Sequence, residues 1–327
     1  MKQNEKEYGG FLPLELNLKD RNTKSYYDNY NIYSFNTVKA ALPLIKQDLS
    51  SEEIYVPYYL CPNVIAELEK NFNVIHFYNI NKNLLPEINN LDDKIVYIVN
   101  YFGVMDNSLK RFVYSNKNTI FIIDNAHSFY CKPIMSDNVY NLYSCKKFFG
   151  VPDGGYLITK KIMHTPYKDS FSNSISNYLI KSLEEGTNSC YKDKKEVDSY
   201  INNNYSGISV FSKKLMEKID YKKIKRIRHR NFKIYQKAFK KINKIKCENK
   251  SISYVYPLNV GKNIKNELVQ RKIYVPTLWN MNAEQNFIKY ESFLRDNTIF
   301  LPLNQRYSKQ DILYIISVVI ELLSFEK

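Results

Sequence analysis

Tyr143-Ser144-Cys145-Lys146-Lys147-Phe148-Phe149-Gly150-Val151-Pro152-Asp153-Gly154-Gly155-Tyr156 is the stretch on which the reading of the chain turns. A Ser stands three residues before a Lys, and a glycine-rich turn then opens a new apolar run, Gly154-Gly155-Tyr156-Leu157-Ile158-Thr159. A solvated ammonium is a poor nucleophile, whereas a pocket that lowers its pKa lets a Lys condense with a carbonyl. Lys147 and Lys146 compete for that role, and in a basic chain neither decides anything alone. About twenty residues upstream, Thr119-Ile120-Phe121-Ile122-Ile123-Asp124-Asn125-Ala126-His127 brings an apolar run to an end on an Asp.

Pyridoxal phosphate (PLP) is the cofactor that uses such a Lys, through a Schiff base, and it also needs a carboxylate at its pyridine nitrogen. A buried carboxylate is costly unless paired, and a protonated pyridine is such a partner. Asp124 is the candidate for it. His127, three residues on, is placed to bond the ring hydroxyl or lean on the ring face; the plainer reading is a hydrogen-bonded structural histidine. Ser144, and the backbone N–H groups of Asn36 and Thr37 at a helix start, are candidates for the phosphate, because helix N-termini attract anions. Ser and Asn-Thr are also common caps, so the joint pattern carries the argument.

Outward from these motifs, element types alternate. Asn36-Thr37 followed by Val38, Ala41, Leu42, Ile45 and Leu49 has helical spacing, with Pro43 expected at a kink or early in the helix. Residues 54–57, 74–78, 95–100 and 119–123 read as short strands, the last two being continuous apolar runs of the kind buried on both faces. This alternation predicts an α/β fold, a mostly parallel sheet with helices on both sides. Ligands in such sheets sit at the carboxyl ends of strands, and Asn100, Asp124 and Ser144 all fall at or just after one. The expected division is an N-terminal arm over 1–30, a large cofactor-binding domain over 31–205 and a smaller α+β C-terminal domain over 206–327. The last is expected to hold helices over 208–219, 224–242, 262–272 and 308–325 and a strand over 253–258.

Over 327 residues, 44% hydrophobic and 25% charged residues are ordinary for a soluble globular protein. No apolar run nears the roughly 18 residues that cross a bilayer, so a cytoplasmic protein without membrane association is expected. Five scattered cysteines without a CxxC pair argue against a zinc site or a disulfide framework, and no metal is expected. The net charge is +15, and the densest basic run, Tyr221-Lys222-Lys223-Ile224-Lys225-Arg226-Ile227-Arg228-His229-Arg230, is interleaved with apolar residues. It reads as a solvated helix face, with no nucleic-acid partner expected; attraction of an anionic small substrate fits the charge better.

The assembled motifs resemble the PLP-dependent fold-type-I aminotransferases of the DegT/StrS group, which act mainly on keto sugars carried by nucleotides. Gly9-Gly10-Phe11-Leu12-Pro13-Leu14-Glu15 resembles an N-terminal signature of some members. Val56-Pro57-Tyr58-Tyr59-Leu60-Cys61 is similar to the segment bearing the ring-stacking residue, Val99-Asn100-Tyr101-Phe102-Gly103 to the Val-His-aromatic-Gly strand end, and Ile123-Asp124-Asn125-Ala126-His127 to the pyridine-nitrogen motif. Arg228-His229-Arg230-Asn231 and Leu301-Pro302-Leu303 with Gln305 also resemble family segments, with Asn231 structural.

The resemblance implies a seven-stranded large domain in which Asp124 holds the ring nitrogen and Ser144 with Asn36-Thr37 holds the phosphate. It favours Lys147 for the aldehyde, since a divergent branch has Ser-x-Arg-Lys and Lys146 takes the Arg position. Cys61 stands at the stacking position unless Tyr59 takes over, and Asn100 stands at the pocket-side strand end. A homodimer is implied, as is amino transfer from a small-molecule donor such as glutamate to a keto acceptor. That acceptor would be a sugar, nucleotide-linked, used for surface polysaccharide. The competing readings are a PLP-fold dehydratase or decarboxylase, and a non-catalytic binding protein using the basic face.

Overall fold

The computed structural model describes residues 8–14, 26–279 and 289–324. Along the chain the strands are β1 (Tyr8–Gly9), β2 (Ile32–Phe35), β3 (Glu53–Pro57), β4 (Val74–Ile80), β5 (Pro86–Glu87) and β6 (Ile95–Val99). They continue with β7 (Ile120–Asp124), β8 (Val139–Ser144), β9 (Gly155–Ile158), β10 (Val255–Asn259), β11 (Ile273–Tyr274) and β12 (Thr298–Pro302). Eight of them form one sheet in the order β2-β9-β8-β7-β6-β3-β4-β5. β4, β3, β6, β7 and β8 are parallel, while β9 runs against both of its neighbours and β5 turns back on β4.

The central parallel strands β6, β7 and β8 are covered on both faces, and β6 and β8 are buried at every residue. Helices Pro62–Asn71 and Asp106–Ser115 are the crossovers from β3 to β4 and from β6 to β7. The sheet has one strand more than the seven expected. The extra one is the two-residue β5, where Pro86 lacks an N–H and is tolerated because the strand is at the edge. Pro43 does not kink its helix: it lies in the first turn of Ala41–Gln47, where its N–H would have no partner.

The polar stretch after residue 167 forms two helices, Asn173–Glu185 and Tyr191–Asn203. In the C-terminal part, the 19-residue helix Tyr221–Phe239 packs with Lys309–Ser324 and with the antiparallel pair β10–β12. The helix expected over 262–272 is shorter, Lys265–Gln270. β1 pairs in parallel with β11, and the Tyr8 ring lies 5.7 Å from Tyr307 and 5.5 Å from Tyr314, so the start of the described chain is fastened to the C-terminal part. Buried apolar side chains run without a break from Val96, Phe121 and Leu142 in the large sheet to Tyr256 and Phe300 in the small one. Among the described residues no helix is long and apolar enough to cross a membrane.

Candidate active site

Three adjacent parallel strands, β6, β7 and β8, end at Asn100, Asp124 and Ser144. Asp124 is 8% exposed, and both its carboxylate oxygens are held. Oδ1 accepts the Ala126 N–H at 2.9 Å, and Oδ2 accepts the Tyr97 hydroxyl at 2.9 Å. Tyr97 comes from the middle of β6; burial first, and then Asp124, raise its pKa well above the usual range, so the phenol stays protonated and donates. The carboxylate is thereby fixed in direction by two elements.

The half-buried Lys147 side chain brings an amine within electrostatic reach of this carboxylate. Burial pushes its pKa below the ordinary lysine value, with Asp124 and then Cys61 acting the other way and Lys146 and Lys194 adding to the lowering. Its Nζ lies 5.7 Å from the centre of the Tyr254 ring. Lys146, one residue earlier, points elsewhere: it forms an ion pair with Asp198, which Lys194 also engages on its other oxygen.

The Gly-Gly pair explains how the phosphate candidates meet. Gly154 has φ +134°, and a Cβ there would lie 2.8 Å from Cys145 Cβ. A Cβ on Gly155 would stand 2.4 Å from the Val38 nitrogen, so only glycine lets β9 approach the Thr37–Val38 peptide this closely. Gly155 is in register with Ser144, which brings Ser144 beside the start of the Val38–Ala40 turn. Thr37 makes no side-chain capping bond there. Asn36 departs from expectation. Its N–H is donated to the Ser206 carbonyl at 2.9 Å and its side-chain amide to the Asn204 carbonyl at 2.7 Å, so its N–H cannot serve an anion. Lys39, which sequence reasoning passed over, lies close by with an amine whose pKa is lowered by burial and which senses Cys61 and Lys146.

His127 is 2% exposed, and neither ring nitrogen has a hydrogen-bond partner among the described residues. The plainer expectation, a hydrogen-bonded structural histidine, is thus not what is found. Burial and then the Lys147 charge hold its pKa well below the usual range, so the ring is neutral. Trp279 and Tyr254 lie nearly parallel to it, with centroids at 5.6 and 5.4 Å. Tyr59 is fully buried and donates its hydroxyl to the Leu278 carbonyl at 2.6 Å, leaving half-buried Cys61 as the one of the two that acts on Lys147. Asn100, wholly buried, gives its amide to Asp106 at 2.8 Å and Asn125 at 2.9 Å, while its Oδ1 has no hydrogen-bond partner among the described residues.

The C-terminal part reaches back to the same loop. The Phe148 carbonyl, next to Lys147, accepts from Arg228 at 3.3 Å and from Gln305 at 2.9 Å. Arg228 also donates to the carbonyls of Ser253 and Tyr254. Asn231, as expected, is structural and donates to the carbonyls of Leu303, Asn304 and Tyr307. Asp153 of the Pro-Asp-Gly-Gly turn is fully buried and accepts from the Ser209 N–H and hydroxyl, from Ser212 and from Ser170, tying the loop to the N-terminus of helix Val210–Lys218.

The chain shares its fold with aminotransferases of the DegT/DnrJ/EryC1/StrS kind. An aminotransferase of Helicobacter pylori involved in the biosynthesis of pseudoaminic acid superposes with a TM-score of 0.62 at 13% identity, over 97% of this chain and 99% of the other. A DegT/DnrJ/EryC1/StrS aminotransferase of Brucella abortus gives 0.59 at 14% identity, over 90% and 86%. A Streptococcus pneumoniae protein assigned as a sugar aminotransferase, in its PLP form, gives 0.63 at 15% identity, over 98% and 100%. No protein-family model matches the chain, and no curated protein matches it by sequence.

Proposed function

We propose that the chain is a PLP-dependent aminotransferase that moves an amino group from glutamate to a keto sugar carried by a nucleotide. The observation that carries this reading is the half-buried Lys147, whose amine pKa is lowered by burial and senses the strand-end Asp124, together with the unpartnered ring nitrogens of His127, which in turn senses Lys147. The residues fit the cofactor: Asp124 for the pyridine nitrogen, His127 for the ring hydroxyl, Thr37 and Ser144 for the phosphate, Cys61 toward the ring and Lys147 for the aldehyde. When bound, PLP supplies the electron sink for a substrate carbanion. Asp124, aimed by Tyr97 and the Ala126 N–H, holds a proton at the pyridine nitrogen. Lys147 Nζ would act as the general base that takes the proton from the substrate's amino-bearing carbon and returns it on the far side of the amino nitrogen. His127, neutral, can donate one hydrogen bond and accept another without adding charge.

A homodimer fits this reading. Phe171, Ile180 and Leu183 are 85%, 50% and 46% exposed around helix Asn173–Glu185, an apolar surface suited to a second copy.

The test is optical. Purified protein given PLP should gain a visible absorbance band, which glutamate should convert to the pyridoxamine spectrum with release of 2-oxoglutarate. Lys147→Ala should lose the band and Lys146→Ala keep it. A band that survives in Lys147→Ala rejects the assignment. A band indifferent to glutamate moves the protein to another PLP reaction, such as dehydration or decarboxylation.

A further inference from the structure

The basic run of helix Tyr221–Phe239 is more than a solvated face. Lys222, Lys225, Arg226, His229, Lys233 and Lys250 line a cavity of about 790 Å³, and its only carboxylate among the described lining residues is Asp106. Asp106 offers that cavity little compensation. Its Oδ1 already accepts from Asn100 and Ser128, both at 2.8 Å, and burial raises its pKa. A second cavity of about 360 Å³ shares Lys233 and Asn249 with the first and adds Lys237, Lys240 and Lys241. Among the described residues none of these lysines, nor Arg226, forms an ion pair. His229 has a buried Nε2 without a partner, and its pKa is lowered by burial and then by Lys233.

Uncompensated like charges in a concave surface repel one another and focus a positive potential, and they are relieved when an anion enters. The shape of the site narrows which anion. From Lys222 to Lys237 the helix carries cations every three or four residues over about 22 Å at its rise per residue, longer than any one phosphate group. A single-stranded polymer of nucleotides would also need ring faces for its bases. Apart from the imidazole of His229, the aromatic ring among the described lining residues is that of Tyr130, which is 5% exposed and packed against Tyr26, Phe129 and Phe148. On the opposite side of the helix Arg228 points inward to the Phe148 carbonyl, so the groove and the Lys147 loop share a scaffold without sharing side chains.

We propose that this groove binds a linear chain of phosphate groups that bears no aromatic bases. The reading stands whether or not the Lys147 site holds a cofactor.

Calorimetric titration of the intact protein with inorganic phosphate, triphosphate and long-chain polyphosphate tests it. Affinity should rise at least about tenfold from triphosphate to the long chain, and it should fall on the order of a hundredfold between roughly 50 and 200 mM salt. The double variant Arg226→Glu/Lys233→Glu, both exposed positions, should lose at least about tenfold in polyphosphate affinity while keeping the far-ultraviolet dichroism and the PLP uptake of the parent. Lys240→Glu/Lys241→Glu, in the adjoining cavity, should weaken the long chain and leave triphosphate unchanged. Equal affinity for triphosphate and the long chain, indifference to both double variants, or tighter binding of a single-stranded oligonucleotide than of polyphosphate would each overturn the proposal.

Discussion

Asp124 and Lys147 could be picked out from sequence because each carries a local signal: a carboxylate closing an apolar strand, and a Lys in a Ser-x-x-Lys followed by paired glycines. Tyr97 could have been found the same way. A Tyr inside the run Ile95–Val99, in a strand buried on both faces, must direct its hydroxyl to a polar partner. Tyr254 and Trp279 had no such signal, since what places them beside Lys147 and His127 is the packing of a distant part of the chain. Two predictions belong at this scale. Tyr97→Phe should leave the fold intact yet remove one bond to the carboxylate, slowing the glutamate half-reaction about tenfold, as the loss of roughly 1.5 kcal/mol from a hydrogen bond to a charged group implies. Stopped-flow mixing with glutamate measures it. The lowered pKa of Lys147 sets the second. Uptake of PLP needs the neutral amine, so its rate should climb with pH and level off below the ordinary lysine value of 10.5. The apoprotein should in turn gain stability as pH rises from that lowered value to 10.5, where the unfolded chain binds the extra proton. A rate still climbing past 10.5 would show the amine to be solvated.

At the scale of elements, the strands over 95–100 and 119–123 were legible because burial on both faces forces continuous apolar runs, and Asn100, Asp124 and Ser144 were placed at or just after strand ends by that reading. What escaped was whatever a partner strand decides. Ile32–Phe35 has too few residues to show alternation, and it is a strand because β9 offers it an edge. Asn36 was misjudged for a related reason: a chain segment some 170 residues away claims its N–H. The paired glycines are the sharpest case, since their value lies in the missing Cβ between β9 and the Thr37–Val38 peptide. Gly155→Ala should cost about 1–3 kcal/mol through overpacking and should weaken binding of PLP more than that of phosphate-free pyridoxal. Urea unfolding and parallel titrations with the two compounds would separate these effects.

At the scale of the whole molecule, Arg228 is the joint. Fully buried, it gathers the carbonyls of Phe148, Ser253 and Tyr254 around one guanidinium, which also stacks 4.6 Å from the Phe148 ring. Arg228→Met should keep much of the packing volume but remove its bonds to those carbonyls, destabilising the protein by about 3 kcal/mol and lowering PLP affinity because the Lys147 loop keeps only the Gln305 bond to Phe148. Thermal melts with and without PLP would show both, and an unchanged affinity would mean the loop holds itself.

The attachment of the C-terminal strands to the Lys147 loop also bears on how the chain matures on the ribosome. Every strand of the eight-stranded sheet has been translated once Ile158 is added, but Arg228, Tyr254 and Trp279 follow much later. A nascent chain can therefore build its scaffold early and still present an open, hydrated lysine, so under the proposed function competence to capture the coenzyme would be conferred near the end of synthesis.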